Sequence, residues 1–415
     1  MSVPAGLQRR IGLPGAIMLG LGSMLGAGVF AVWGPAAAVA GTGPTLLVAL
    51  AIAAVVASLD ALSTAQLAAH LPTSGGAYSF GRELIGPRAG FAAGWMFCVG
   101  KSASCAAMAL VAAGYLVGPG APRVALAVGF VVLLTLVNCL GITRTTAAAI
   151  VLGSITVAVL LLVVGVGATA PAAPSRGGLE LVDAVQAAGL LFFAFAGYAR
   201  IATLGEEVRE PLRTIPRAVV GALSLTILLY VAVALTVLHA VGVAALADSA
   251  RPLGLVVEAA DASWASPVVR VGAAVAALGA LLALGAGLGR TALAMARNRD
   301  LPGVLATVDS RWSTPVRAEV AVAAVVVVLA LSGDVTRVLG LSSFGVLLYY
   351  AVANLSAARQ DVPGRRLLPR AASLLGLVLC VAIVALLPLA SVLAGLAVLL
   401  LGLAARELRP APRDS

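Results

Sequence analysis

The chain has 415 residues, of which 61% are hydrophobic and only 11% charged, and it carries 46 glycines. A soluble domain is about half apolar and about a quarter charged, so this chain lacks the charge to solvate a globule of its size. The apolar content excludes disorder, and 4 cysteines in 415 residues exclude a disulfide scaffold. The net charge of +10 comes from 26 arginines and one lysine against 17 acids. The arginines sit between apolar runs rather than in a basic stripe interleaved with aromatics, which argues for a membrane protein and against nucleic-acid binding. Few aromatics and a scarcity of alternating segments argue against an outer-membrane barrel.

With roughly 20 residues per crossing, the apolar runs give about twelve helices. They are predicted near 12–40, 44–67, 88–117, 122–140, 146–168, 185–204, 216–242, 267–296, 318–332, 335–355, 371–388 and 390–405. Only the Pro388 region separates the last two. The fold class is therefore an all-α polytopic membrane protein. With Arg9 and Arg10 in the cytoplasm, the arginine-rich loops alternate onto the same side, and only Arg123, Arg176, Arg251, Arg270 and Arg337 fall outside. An even number of spans with both termini in the cytoplasm satisfies the positive-inside rule. Arg9-Arg10 before an apolar run, with small residues at 36–40, also has the form of a cleavable signal peptide. The run is too long for an h-region and more spans follow, so it reads as the first span.

The first span contains Gly20-Leu21-Gly22-Ser23-Met24-Leu25-Gly26-Ala27-Gly28-Val29-Phe30. Each glycine costs about 1 kcal/mol relative to alanine inside a helix. Close packing through small residues explains two or three of them. A discontinuous helix explains the dense cluster better, because unwound backbone at mid-membrane offers N–H and C=O groups to a ligand. A second candidate break lies five spans later, at Phe192-Phe193-Ala194-Phe195-Ala196-Gly197-Tyr198-Ala199-Arg200-Ile201. Breaks in spans one and six are what an inverted five-span repeat requires. Free amides at a half-helix N-terminus suit a carboxylate and free carbonyls suit an ammonium, so a zwitterion fits.

Four ordered motifs covering about 300 residues resemble the amino acid–polyamine–organocation (APC) superfamily of permeases. The first is the glycine box at 22–30. The second is Leu71-Pro72-Thr73-Ser74-Gly75-Gly76-Ala77-Tyr78 with Gly90-Phe91 and Gly94-Trp95. The third is the segment 193–197 followed by Glu206-Glu207-Val208-Arg209-Glu210-Pro211 and Ile215-Pro216-Arg217. The fourth is Arg290, Met295-Ala296-Arg297-Asn298-Arg299-Asp300-Leu301-Pro302 and Thr314-Pro315. All three loop motifs follow even-numbered spans and fall on the arginine-rich side.

The resemblance implies two inverted repeats, 12–168 and 185–355, an arm at 1–11, two further spans over 371–405 and a tail at 406–415. It implies alternating-access transport of amino acids or related amines across the cytoplasmic membrane. By motif position, Ser23, Met24, Leu25, Gly26, Ala27 and Gly28 would hold the substrate backbone from span one. Phe193, Ala196, Gly197 and Ala199 would do so from span six, with Phe193 or Phe195 as an aromatic gate. Ala27 stands where many members carry serine, and Ala199 where many carry an acid.

Ionisable groups at bilayer depth are functional candidates. Lys101, the chain's only lysine, lies mid-way along span three, and reads either as a coupling or pocket residue or as a structural ion pair. Asp60 on span two has two candidate partners, Arg200 and Lys101, as a gate or structural pair. The spans otherwise offer no acid, which argues against a membrane-embedded enzyme. No filter loop or repeated polar ring suggests a channel. Residues 272–289 contain no serine or threonine, and Ser154 and Thr156 alone make a thin sodium site, so coupling to H+ or exchange is favoured. No cofactor, phosphate-loop or metal motif appears, and His70 and His239 read as helix-end residues. Two buried cations favour neutral amino acids over cationic ones or polyamines. The alternatives are an exporter or a cationic amino acid or polyamine carrier of the same fold.

Overall fold

The computed structural model describes residues 11–71, 75–117, 121–139, 145–174, 177–198, 208–309, 314–361 and 366–408. The first span is three helices, α1 (Leu13–Met24), α2 (Ala27–Ala31) and α3 (Trp33–Ala40). There follow α4 (Gly43–His70), the short α5 (Ala77–Leu84), α6 (Pro87–Val117), α7 (Ala121–Cys139) and α8 (Thr145–Gly167). The rest of the bundle is α9 (Leu181–Phe195), α10 (Pro211–Ala240), α11 (Val243–Ala247), α12 (Pro252–Ala259), α13 (Ser266–Arg297), α14 (Val316–Ala330), α15 (Val335–Arg359), α16 (Arg370–Leu386) and α17 (Leu389–Glu407).

Eight of these segments are long and apolar enough to cross a membrane, and three shorter apolar helices stand at predicted spans five, six and eleven. The chain is thus a multi-pass α-helical membrane protein. Span seven begins at Pro211, five residues before its predicted start at 216, because Glu210 takes a left-handed φ of 48° and Pro211 opens the helix. The helix then tolerates Pro216 one turn in. Side-chain caps open two spans: Thr42 accepts from the Thr45 amide (3.3 Å) before α4, and Asp334 from the Arg337 amide (3.1 Å) before α15.

The helix α6 is the most enclosed of the eight long apolar segments, whereas α7 and α17 are the most exposed and present Leu133, Leu136, Leu400 and Leu401 outward. Apolar side chains facing outward are what a helix in lipid requires. Small residues let α6 approach α15: a Cβ on Gly100 would stand 3.1 Å from the Gly345 Cα. This contact replaces the hydrophobic drive that lipid does not supply. It brings Ser104 within 2.7 Å of Ser342.

At one end of the bundle, two of the motif loops meet on Asp300. Its carboxylate accepts from the Tyr78 hydroxyl (2.7 Å), Arg82 Nη1 (2.5 Å) and Arg406 Nε (3.1 Å). Asp300 is 4% exposed, so both arginines balance a carboxylate withdrawn from water. Burial and the Asp300 carboxylate together push the Tyr78 phenol upward. The knot ties α5, the end of α13 and the end of α17. At the same end, Arg366 guanidinium nitrogens take the carbonyls of Ala357 and Gln360 and cap α15. Span one is strapped to the loop before span seven by a bridge of Ile11 with Val208, the Arg209 amide donating to the Ile11 carbonyl (2.9 Å). Arg9, Arg10 and the residues beyond 408 lie outside the described residues.

Replacing Asp300 by alanine leaves Arg82 and Arg406 without their shared counter-charge. A loss of about 2 kcal/mol is expected, between the values of exposed and buried pairs. It is read as a lower melting midpoint in detergent, and Arg88→Ala at the exposed Arg88–Glu407 pair should leave the midpoint unchanged.

Candidate functional site

The helix of span one stops at Met24 and resumes at Ala27, leaving Leu25 and Gly26 outside regular helix. The glycine cluster divides accordingly. Gly20 and Gly22 lie inside α1, and Gly22 serves close packing: a Cβ on Gly153 of α8 would stand 3.3 Å from its Cα. Gly26 and Gly28 belong to the break. Span six stops at Phe195, with Ala196 as its cap and Gly197 and Tyr198 in a turn. Ala199, Arg200, Glu206 and Glu207 lie outside the described residues.

The two breaks lie against each other. A Cβ on Gly28 would stand 2.6 Å from the Ala194 Cα, and one on Gly197 would stand 2.6 Å from the Met24 nitrogen and nearer still to the Ser23 carbonyl. Glycine is needed at both points because backbone meets backbone there. The crossing is reciprocal: each break sends a glycine onto the chain of the other. Tyr230 of α10 spans the junction, its hydroxyl 2.7 Å from the Met24 carbonyl and 2.9 Å from the Ala194 carbonyl. Phe195 packs edge-on to that ring, 4.9 Å between centroids.

These contacts sort the backbone groups of the breaks. The Leu25 amide returns to the Leu21 carbonyl (2.7 Å), the Ala196 amide to Phe193 (3.4 Å) and the Gly197 amide to Phe195 (2.8 Å). The Ala196 carbonyl accepts from Lys101 Nζ at 2.8 Å, with the Tyr350 hydroxyl 3.4 Å away. The first amides of α2, at Ala27 and Gly28, have no carbonyl one turn before them because the helix starts there. Ser23 Oγ donates to the Leu19 carbonyl (2.8 Å), so its hydroxyl is engaged by its own helix. Met24, Leu25, Gly26, Ala27, Gly28, Phe193, Phe195 and Ala196 are all buried, and Gly197 is half-buried.

Lys101 does not pair with Asp60, which corrects one of the two partners expected for that aspartate. Lys101 instead reaches the carbonyl end of α9, and among the described residues it forms no ion pair. Asp60 accepts from Asn354 Nδ2 (2.6 Å) and from Cys380 Sγ (3.3 and 3.4 Å), with Tyr198 beside it. Amide and thiol donors from α15 and α16 therefore satisfy it. Below it the polar column continues through Ser63–Ser373 and Gln66–Gln360. Asn354 and Cys380 were not singled out in sequence, since each is a lone polar residue in an apolar run.

A second correction concerns acids within the spans. Glu319, in the first turn of α14, is 5% exposed, and its carboxylate lies over Gly289 in electrostatic reach of Arg290. It shares a small cleft with Cys105, Thr135 and Asn138. Its place at the edge of a run of valines and alanines hid it. Thr156, one of the two hydroxyls of the thin sodium site, donates to Leu152 of its own helix (2.9 Å). At the end of the bundle opposite Asp300, a cleft of about 690 Å³ opens beside α2 and α3, bounded by Ala31, Leu110, Arg123, Asp248 and Asp334.

Gly197→Ala forces a methyl into the Ser23–Met24 backbone and should abolish ligand binding while lowering the melting midpoint, overpacking costing about 1–3 kcal/mol. Tyr230→Phe keeps the ring but frees the Met24 and Ala194 carbonyls. It should weaken ligand affinity roughly tenfold, the equivalent of about 1.4 kcal/mol, as measured by equilibrium binding on purified protein.

The amino acid permease family matches this chain over residues 11–402. An uncharacterized transporter of Mycobacterium tuberculosis (strain ATCC 25618 / H37Rv) is 51% identical over 98% of this chain and 92% of its own length. A vacuolar cationic amino acid transporter 2 of Arabidopsis thaliana is 29% identical over 84% of this chain and 59% of its own. The branched-chain amino acid permease BcaP of Bacillus subtilis (strain 168) is 26% identical over 74% of this chain and 71% of its own. With a match spanning nearly all of its length and a bundle to suit, this chain belongs to the amino acid permease family of the APC superfamily.

Proposed function

We propose that the chain is a secondary carrier of neutral amino acids in the cytoplasmic membrane, working by alternating access and driven by protons or by exchange. The observation that carries this reading is the juxtaposition of the two broken helices. The amide end of α2 and the carbonyl end of α9 lie side by side at bilayer depth, where unpaired backbone groups are costly unless a ligand or side chain meets them. The substrate carboxylate takes the amides of Ala27 and Gly28, and its ammonium takes carbonyls of the opposing break. Phe193 and Ala196 line the site from span six, and Ala199, expected beside them, lies outside the described residues.

The reciprocal contacts of Gly28 with Ala194 and Gly197 with Ser23 support reading 12–168 and 185–355 as inverted repeats. The arginine bias puts the Asp300 end in the cytoplasm, so the cleft by Arg123 is the outer access path. The Asp300 knot then closes the inner side. Asp60, with Arg200 nearby in sequence to Tyr198, acts in gating between α4, α15 and span six. The ammonium of Lys101 inside the site disfavours arginine, lysine and polyamines by like-charge repulsion. The absence of hydroxyls over 272–289 disfavours sodium.

A panel of amino acids added to purified protein tests the substrate. Neutral amino acids should raise the melting midpoint, a ligand at 100 times its Kd adding about 2.7 kcal/mol. Arginine, lysine and putrescine should not. In proteoliposomes, uptake should be saturable, accelerate with amino acid loaded on the trans side, and ignore replacement of sodium by choline. Sodium-dependent uptake without a membrane potential or pH gradient would overturn the coupling assignment, and stabilisation by arginine alone the substrate assignment.

A further inference from the structure

We propose that Lys101 is an internal stand-in for the substrate's amino group. Its ammonium occupies the Ala196 carbonyl that the ammonium of an arriving amino acid must take. The inference rests on the carrier reading above and names the group with which the substrate competes.

Lys101 is the chain's only lysine, is 5% exposed, and lies near the middle of the most enclosed span. A buried ammonium needs acceptors to offset its lost hydration. Its partner here is a backbone carbonyl, and no carboxylate pairs with it among the described residues. That carbonyl has a particular standing. Ala196 caps the C-terminal end of α9, where the helix stops. It also lies at the negative end of the helix dipole. It is thus one of the acceptors that a broken helix exposes for an ammonium, and a primary ammonium on a four-carbon tether already fills it.

Lysine and a free amino acid bring the same donor to this oxygen, an ammonium with N–H groups. Two such cations at one carbonyl in a site closed to water repel strongly. Binding of the substrate amine therefore requires Lys101 to leave, and the released ammonium turns to the incoming carboxylate. Two properties follow. Substrates need at least one N–H on their ammonium, because a quaternary nitrogen has no donor with which to replace Lys101 at Ala196. They also carry a carboxylate, because without one the displaced lysine is left uncompensated. The ligand class is zwitterionic amino acids with a free primary or secondary amine, excluding betaines and simple alkylamines.

Close contacts elsewhere hold the competition in register. The Gly100–Gly345 approach fixes α6 against α15 one residue from Lys101, and Tyr350 of α15 leans on the same carbonyl at 3.4 Å. Neither can follow the substrate, so the flexible lysine is the group that yields.

The test measures binding to the purified full chain, with the neutral amino acid that most raises its melting midpoint as labelled probe. Wild type, Lys101→Met and Lys101→Arg are compared, with n-propylammonium and the N-trimethyl form of the probe as competitors. Lys101→Met removes the internal competitor, so it should bind the probe several-fold more tightly and become sensitive to n-propylammonium, which leaves wild type untouched. Lys101→Arg keeps a cation at the carbonyl and should remain insensitive to n-propylammonium. A merely structural strap between spans three and six would weaken binding when cut and would confer no amine sensitivity, and that result overturns the inference. Should Lys101→Met not fold, wild type decides alone: displacement of the probe by its N-trimethyl form as effectively as by the parent sinks the proposal. A wild-type protein that binds no amino acid sinks the carrier reading itself. Binding to wild type with unchanged affinity in Lys101→Met sinks only the role of Lys101.

Discussion

A helix that stops inside a bilayer leaves amides and carbonyls with neither water nor a following turn to bond, and this structure does it twice, side by side. Everything near the centre answers that constraint. Tyr230 reaches the Met24 and Ala194 carbonyls with one hydroxyl, and Lys101 reaches the Ala196 carbonyl. Gly28 and Gly197 let each break press against the backbone of the other so closely that no side chain could intervene. Carbonyls are answered by the protein's own side chains, while the first amides of α2 have no helical carbonyl before them.

Around this centre the bundle handles charge by distance from it. Asp300 gathers Arg82, Arg406 and Tyr78 at one end of the molecule, where partly exposed arginines still reach water. Asp60, deeper, is met instead by an amide and a thiol from α15 and α16. The two solutions suit their surroundings. Arginine reaches water from the end of a helix, whereas at mid-depth neutral donors satisfy a carboxylate without burying a second ion. The Asp300 knot also joins α17 to the loop helix α5, so the last span is tied to the helix that follows span two.

Much of the architecture was legible because membrane helices announce themselves by apolar length. The spans over 88–117 and 335–355 were found within a few residues of α6 and α15, as was the division at Pro388. Glycine likewise marked both broken helices. What misled was density. Four glycines over 20–28 looked like one feature, yet Gly20 and Gly22 sit in ordinary helix and Gly22 packs on α8, while only Leu25 and Gly26 leave the helix. Glu319 was passed over because one acid at the start of a valine-rich run barely changes its hydropathy. The Asp60–Lys101 pairing failed because opposite charges at similar depth on two spans need not face one another.

Composition and pattern by themselves determined that the chain is a multi-pass membrane protein, where its two irregular segments lie and to which family it belongs. These properties follow from apolar length, arginine bias and local motifs, which act along the chain. Tertiary structure alone decided that the two breaks cross, that Tyr230 bridges them, that Lys101 meets Ala196 rather than Asp60, and that Asp300 collects arginines from opposite ends of the sequence. Those outcomes depend on the rotation of each helix about its axis. In lipid, where apolar surface is as well solvated outside the bundle as within it, that rotation is set by where small residues allow backbones to touch.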